Sequence, residues 1–201
     1  MAVSATVVRE LEIDPASEKY QLELVRNPRI RDGKNFRLAA AMVAIDGDGL
    51  KEMVEGHSSK MLGYEGEDGF IKPRWQMNFP AGYWVHQRNF MLCASEDFNG
   101  DGIEEIYTTL RSADKQDWRL FGFDPATEEV IVNISLPLGA DRRANGYWDG
   151  FYIPAGTVAD ADGQGRPGIV LLRNVEYDAT LRGVCVRDPF NGEMILSLIH
   201  I

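Results

Sequence analysis

The sequence predicts an all-β chain of four-stranded antiparallel units, arranged as an incomplete β-propeller of roughly three to four blades. Three observations predict it. The acidic, glycine-rich stretch 97–106 recurs at 160–169, an offset of 63, and in weaker form at 44–53. Gly82-Tyr83-Trp84 recurs as Gly146-Tyr147-Trp148, and Asp124-Pro125-Ala126-Thr127-Glu128 recurs as Asp188-Pro189-Phe190-Asn191-Gly192, both at an offset of 64. Between these landmarks lie short runs of β-branched and aromatic residues bounded by turn residues, without helical periodicity. Self-similarity of this period, carried by strands and turns, is the mark of propeller blades.

In chain order, residues 5–13 read as a strand, 14–18 as an Asp-Pro turn and 20–25 as the returning strand, the last two strands of a blade. Residues 26–37 form a polar connection with Asn27-Pro28 and Asp32-Gly33 turn signals. The small apolar run 38–45 suits an innermost strand, where blades crowd the axis. Two short strands flank His57-Ser58-Ser59, and 70–77 closes that blade; His57 in a polar turn reads as a solvated side chain. The stretch 79–89 is a connection and 90–94 the next inner strand. Strands 103–110, 118–123 and 130–136 follow, the last two joined by the first full Asp-Pro turn. After the connection 137–154 come 156–159, 168–173, 182–186 and, past the second such turn, 193–195. The blade units are thus 1–25, 38–77, 89–136 and 155–195. The last six residues, 196–201, read as a processing remnant on the front part of a longer reading frame, with Met1 an internal methionine.

Composition narrows the function. A chain of 201 residues that is 44% hydrophobic and 10% aromatic can bury a core. Its 31 acidic against 21 basic residues give a net charge of −10, which argues against nucleic acid because phosphate binding needs a basic face. No run of 18 apolar residues suggests a membrane span, and charges throughout the first 30 residues speak against a signal peptide. Cys93 and Cys185 fall at different places in the repeat, so no disulfide is expected between them. The sequence has no G-x-S-x-G, no H-E-x-x-H and no zinc-spaced Cys/His cluster, and Asp160 to Gly168 lacks the Lys-Ser/Thr ending of a phosphate loop. An enzyme is not the expected reading.

The stretch from Asp97 places oxygen donors at alternate positions: Asp97, Asn99 and Asp101 at positions 1, 3 and 5, the Ile103 carbonyl at 7 and Glu105 at 9. Alternate donors separated by glycines are how a chain wraps a hard cation. The EF-hand is excluded, because position 12 is Thr108 inside a strand pattern. The stretch resembles the cation loop of FG-GAP/VCBS repeats, the blades of integrin-α-type propellers, which reads D-x-D/N-x-D-G-x-x-D/E between the first two strands of a blade. The resemblance implies bound Ca2+. The donors are Asp97, Asn99, Asp101, Ile103 and Glu105 as first choice. Asp160, Asp162 and neutral Gln164 follow, with Gly168 where the closing acid should be. Asp46, Asp48 and Glu52 come last, in a loop whose position 1 is Ala44.

In such propellers the cation loops lie on one face and the connections between blades on the other. Both Gly-Tyr-Trp copies are assigned to connections, so Tyr83, Trp84, Tyr147, Trp148, Phe151 and Tyr152 are candidates for a ligand face, with packing between blades as the alternative. The resemblance implies a recognition or sensing module for a protein or carbohydrate ligand, the extracellular, periplasmic or cell-surface part of a larger bacterial protein. The alternatives are part of a propeller-based carbohydrate-active enzyme such as a polysaccharide lyase, and an adhesive scaffold repeat.

Overall fold

The computed structural model describes residues 6–14, 19–26, 40–57, 59–64, 73–85, 94–113, 117–136, 150–154, 158–174 and 183–199. All regular structure among them is β, and every strand pairing is antiparallel. An N-terminal hairpin joins β1 (Thr6–Asp14) to β2 (Lys19–Arg26). A second sheet meanders through β3 (Ala40–Val43), β4 (Glu52–His57), β5 (Lys60–Tyr64) and β6 (Pro73–Asn78).

The third sheet contains β7 (Tyr83–Val85), β8 (Ala94–Glu96), β9 (Glu105–Ser112), β10 (Trp118–Asp124) and β11 (Glu129–Ser135). Its order is β11-β10-β9, with β7 and β8 both paired to β9. The fourth repeats the plan with β12 (Gly150–Tyr152), β13 (Val158–Ala159), β14 (Gly168–Asn174), β15 (Gly183–Arg187) and β16 (Met194–Ile199). Residues 196–199, set aside from the sequence as a remnant, continue β16 in register: Leu196 faces Val186 and Leu198 faces Val184.

The innermost strand of the third and fourth sheets differs from the expected one. It comes in two pieces, β7 on the far end of β9 and β8 on its near end, and likewise β12 and β13 on β14. Tyr83 and Trp84 therefore sit in a strand, opposite Ser112 and Arg111, rather than in a connection. The residue of β14 that matches Arg111 at the offset of 63 is Asn174, and Asn174 faces Gly150. Trp84 thus corresponds to Gly150, so the Gly-Tyr-Trp recurrence does not mark equivalent strand positions. Tyr147 and Trp148 lie outside the described residues.

The three larger sheets stack face to face. Ile106, Leu110, Phe121 and Phe123 of the third sheet pack with Val43, Val54 and Met61 of the second. On the other face, Tyr107, Trp118, Leu120 and Val132 pack with Phe151, Ile169, Leu171 and Cys185 of the fourth. Alternate residues of β9 thus enter opposite cores, which is why seven of its eight residues are buried although it is not an apolar run. The outer strand β11 is mostly exposed or half-buried, as an edge should be. Two glycines permit close approach of large rings. A Cβ on Gly150 would stand 2.1 Å from the indole of Trp118, and one on Gly63 2.3 Å from that of Trp75. Cys185 is buried with a free thiol, which burial pushes above its ordinary range; Cys93 lies outside the described residues.

Candidate metal centre

Each of the three stacked sheets carries the same nine-residue loop between its innermost strand and the next. The residue before position 1 pairs with position 9 in all three: Val43 with Glu52, Glu96 with Glu105, Ala159 with Gly168. Positions 4 and 6 are glycines with positive φ throughout, Gly47 and Gly49 at 75° and 87°, Gly100 and Gly102 at 82° and 89°, Gly163 and Gly165 at 69° and 74°. That left-handed backbone is inexpensive only for glycine, and it turns the alternate side chains inward.

The hydrogen bonds repeat as well. The amide of position 5 donates to the side chain of position 3 in each copy: Asp48 N to Asp46 Oδ1 at 3.1 Å, Asp101 N to Asn99 Oδ1 at 2.9 Å, Gln164 N to Asp162 Oδ1 at 3.0 Å. The amide of position 6 donates to the acid at position 1 where one exists, Gly102 N to Asp97 and Gly165 N to Asp160, both at 2.9 Å. The amide of position 2 donates to the acid at position 9 where one exists, Ile45 N to Glu52 at 3.0 Å and Phe98 N to Glu105 at 2.8 Å. Such short side-chain to backbone bonds hold the loop shape locally.

The loops differ in how far their acids converge. Among the described residues, the group of three carboxylates whose oxygens lie within 4.8 Å of one another is Asp46, Asp48 and Glu52, the loop that the sequence ranked last. Glu52 is buried, and burial raises its carboxyl above the ordinary value. The Ile45 amide pulls it down, and the charges of Asp46 and Asp48 push it further up. In the Asp97 loop, Asp97 is occupied by the amides of Gly100, Asp101 and Gly102, and the Asn99 side-chain amide donates to Glu105. Glu105 is also buried and its carboxyl raised, first by desolvation; backbone amides lower it, and the charges of Asp124 and Asp101 add to the rise. In the third copy Arg166 pairs with Asp162 at 2.6 Å, and the Asp162 carboxyl is lowered by the Gln164 amide and by that guanidinium. Arg166 thus supplies part of the neutralisation that a cation would otherwise provide, as Arg74, 2.8 Å from Asp46, does in the first copy.

A set made wholly of oxygen donors suits a hard cation, and the Asp46, Asp48 and Glu52 group could hold one. One contributor went unnoticed in the sequence. Glu104, at position 8 of the middle loop, reaches across to the neighbouring sheet: its carboxylate accepts from Ala44 N at 3.3 Å, Ser95 Oγ at 2.9 Å and Lys51 Nζ at 2.7 Å. Its own amide donates to the Ala44 carbonyl at 2.7 Å. The loop lacking an acid at position 1 is therefore clasped there by an acid from the next sheet. The consecutive Glu104-Glu105 pair was the available signal.

The described aromatic candidates, Tyr83, Trp84, Phe151 and Tyr152, lie at the other end of the strands. Trp84 faces Arg111, six residues along β9 from Glu105, which at about 3.3 Å per residue is about 20 Å from the loop. Tyr83 and Trp84 are half-buried. The Tyr83 hydroxyl donates to Asp117, and the Arg119 guanidinium lies 5.0 Å from the Tyr83 ring centroid. Burial alone would raise the Asp117 carboxyl, but hydrogen bonds from Tyr83, Ser135 and Arg119, and the guanidinium charge, hold it below its ordinary value. Phe151 is 3% exposed within the core between the third and fourth sheets, and half-buried Tyr152 packs edge-on to Trp118 at 5.8 Å. Phe151 therefore offers no ring face to a ligand.

No family model and no curated protein matches the sequence. Among solved structures, the chain is similar to the rhamnogalacturonan lyase YesW, with a TM-score of 0.51 and 15% identity over 80% of this chain. The match spans about a third of that chain, 33% of its length. At this identity the likeness concerns the fold.

Proposed function

We propose that the stacked sheets are consecutive blades of a β-propeller of the FG-GAP/VCBS kind, stabilised by calcium in their inter-strand loops and acting as a recognition or sensing module outside the cytoplasm. The observation that carries the reading is the repetition of one loop, with the same closing pair, the same two left-handed glycines and the same amide bond from position 5 to the side chain of position 3, in three successive sheets. Surface turns that are acidic by chance have no reason to share these features. Calcium fits better than magnesium, because six to eight oxygen ligands at 2.3–2.6 Å can be gathered from flexible carboxylates and carbonyls, whereas magnesium demands a strict small octahedron. Asp46, Asp48 and Glu52, and Asp97, Asn99, Asp101, the Ile103 carbonyl and Glu105, are the donors in the two better loops. Asp160, Asp162 and Gln164 form the poorest.

Recognition is assigned to the end of the sheets away from the loops, where Tyr83 and Trp84 are half-buried and a protein or carbohydrate ligand can meet ring surface. Isothermal titration with calcium and then with glycan and peptide panels tests both halves. Saturable calcium binding with Trp84→Ala losing ligand at unchanged melting temperature is the expected result. A Trp84→Ala variant that keeps ligand, or loses it only by unfolding, removes the ring from the site.

A second reading is favoured by the fold likeness to a rhamnogalacturonan lyase: the chain is part of a carbohydrate-active enzyme. Ultraviolet absorbance of the unsaturated product from pectic polysaccharides separates the two. A calcium-dependent rise selects the lyase, and binding without turnover selects the recognition module.

A further inference from the structure

A chain of peptide groups joins the first cation loop to the second. The Glu104 amide donates to the Ala44 carbonyl at 2.7 Å, and Ile45 N, in the same peptide group as that carbonyl, donates to Glu52 Oε2 at 3.0 Å. Glu104 N in turn shares its peptide group with the Ile103 carbonyl, position 7 of the second loop. A continuous path therefore runs from Ile103 O through Glu104 N–H, Ala44 O and Ile45 N–H to the Glu52 carboxylate. It begins on a donor of one loop and ends on a donor of the other. A trans peptide holds its C=O and N–H on opposite sides, so the Ile103 carbonyl points away from Ala44. Ile45 and Glu52 are buried and Ala44 is half-buried, which shields the path from water.

The path is braced on both sides. The Glu104 carboxylate accepts from Ala44 N at 3.3 Å and from Lys51 Nζ at 2.7 Å, so one residue of the second loop holds both polar backbone groups of Ala44 and position 8 of the first loop. The Ile103 side chain also lies against the first loop, its Cγ1 3.7 Å from where a Cβ on Gly47 would stand. The third loop lacks the device. Its position 8 is Pro167, which has no amide hydrogen to give to the second loop.

We infer that the first and second loops bind calcium with positive cooperativity, transmitted by the peptide path from Ile103 to Glu52, and that the third loop stands outside the coupling. The coupling rests on the calcium reading above and adds to it. A cation drawing on Ile103 O polarises that peptide group and makes Glu104 N–H a stronger donor. The Ala44 peptide passes the polarisation on to Ile45 N–H, which holds the Glu52 carboxylate more firmly in place. Ordering acts in the same direction: an ion that fixes 103–105 fixes the residue gripping Ala44, so the next ion meets a loop already ordered. By linkage the effect is reciprocal. Three carboxylates in each loop leave a filled site without net positive charge, and salt screens the direct repulsion between the ions.

The test is isothermal titration of the full chain with calcium at moderate salt, the third loop silenced throughout by Asp160→Asn. Asp101→Asn then leaves the first loop to be measured alone, and Asp48→Asn leaves the second. The coupling factor is the product of the two binding constants in the two-loop chain divided by the product of the two single-loop constants. Expected is a factor of about five or more. It should persist in Glu104→Ala, which keeps the amide hydrogen, and fall to about one in Glu104→Pro, which lacks it. Pro167 at the equivalent position shows that the loop backbone accepts proline, and circular dichroism checks that every variant is folded. A chain that takes up no calcium overturns the calcium reading and the coupling with it. Two ions bound with a factor near one, a coupling that survives Glu104→Pro, or one already lost in Glu104→Ala overturns the coupling path alone.

Discussion

Replacing Glu52 by Gln removes one acid from the Asp46, Asp48 and Glu52 group, and the consequences can be worked through. Oxygens within 4.8 Å repel by ~1 kcal/mol per pair at the dielectric of water and ~3 kcal/mol at an effective dielectric of 20. Asp48 is exposed, which keeps its pairs near the lower figure. Because the folded-state carboxyl of Glu52 is raised above its ordinary 4.5, the folded loop favours the proton. In chelator its contribution to stability is present at acid pH and is lost as pH rises through the raised value. A bound cation reverses the sign by favouring the ionised form. At 100 times its dissociation constant, calcium adds about 2.7 kcal/mol, which for a chain of this length is about 5–11 °C of melting temperature. The assay is a thermal melt at pH 5 and pH 7, with calcium and with chelator, on the wild type and Glu52→Gln. The wild type should gain more from calcium at pH 7 than at pH 5. The variant should lose a large part of the gain and should show a flatter pH dependence in chelator. Melts indifferent to calcium in a folded wild type, or a variant that keeps the whole gain, refute the reasoning.

Other changes should read out the fold. Gly63→Ala drives a methyl into the Trp75 indole and should cost about 1–3 kcal/mol by denaturant titration. Gly192 has φ of 70° and would place a Cβ 2.4 Å from Ile134, whereas its counterpart at offset 64, Glu128, holds φ of 58° as a non-glycine residue. Gly192→Ala should therefore lose at least about 1 kcal/mol, while Glu128→Gly should stay within about 0.5 kcal/mol of wild type, because the strain relieved is offset by unfolded-chain entropy. Asp117→Asn should flatten the acid limb of stability below the ordinary Asp value of 3.8, since a lowered carboxyl contributes above that value and is lost as pH falls through the folded one. An unchanged acid limb in the variant counts against the Tyr83, Arg119 and Ser135 network.

Local physics wrote much of this molecule into its sequence. Strand runs at 118–123, 130–136 and 168–173 are seen as β10, β11 and β14 within two residues, because β-branched and aromatic runs bounded by turn residues have few other places to go. The nine-residue loops were legible because left-handed glycines and alternate oxygen donors are properties of a few consecutive residues. Even the degraded copy from Ala44 folds to the same backbone, since the glycines at positions 4 and 6 are enough to set it. What alternation and spacing could not reveal is what comes from other strands. The Gly-Tyr-Trp recurrence suggested equivalent surface sites, but register with β9 and β14 puts Trp84 opposite Arg111 and Gly150 opposite Asn174, a matter of pairing partners far along the chain. Phe151 joined the core because the fourth sheet closes over the third. Counting acids placed the Asp97 loop first, yet convergence depends on where each carboxylate is held. Asp97 accepts from three amides of its own loop, whereas Asp46, Asp48 and Glu52 accept from one amide each, Asp46 pairs with Arg74 as well, and the three still come within 4.8 Å of one another. The sequence alone therefore determined the loops and the strands that carry them. Only the tertiary structure decided which carboxylates meet and which rings are buried, because those depend on contacts between residues tens of positions apart.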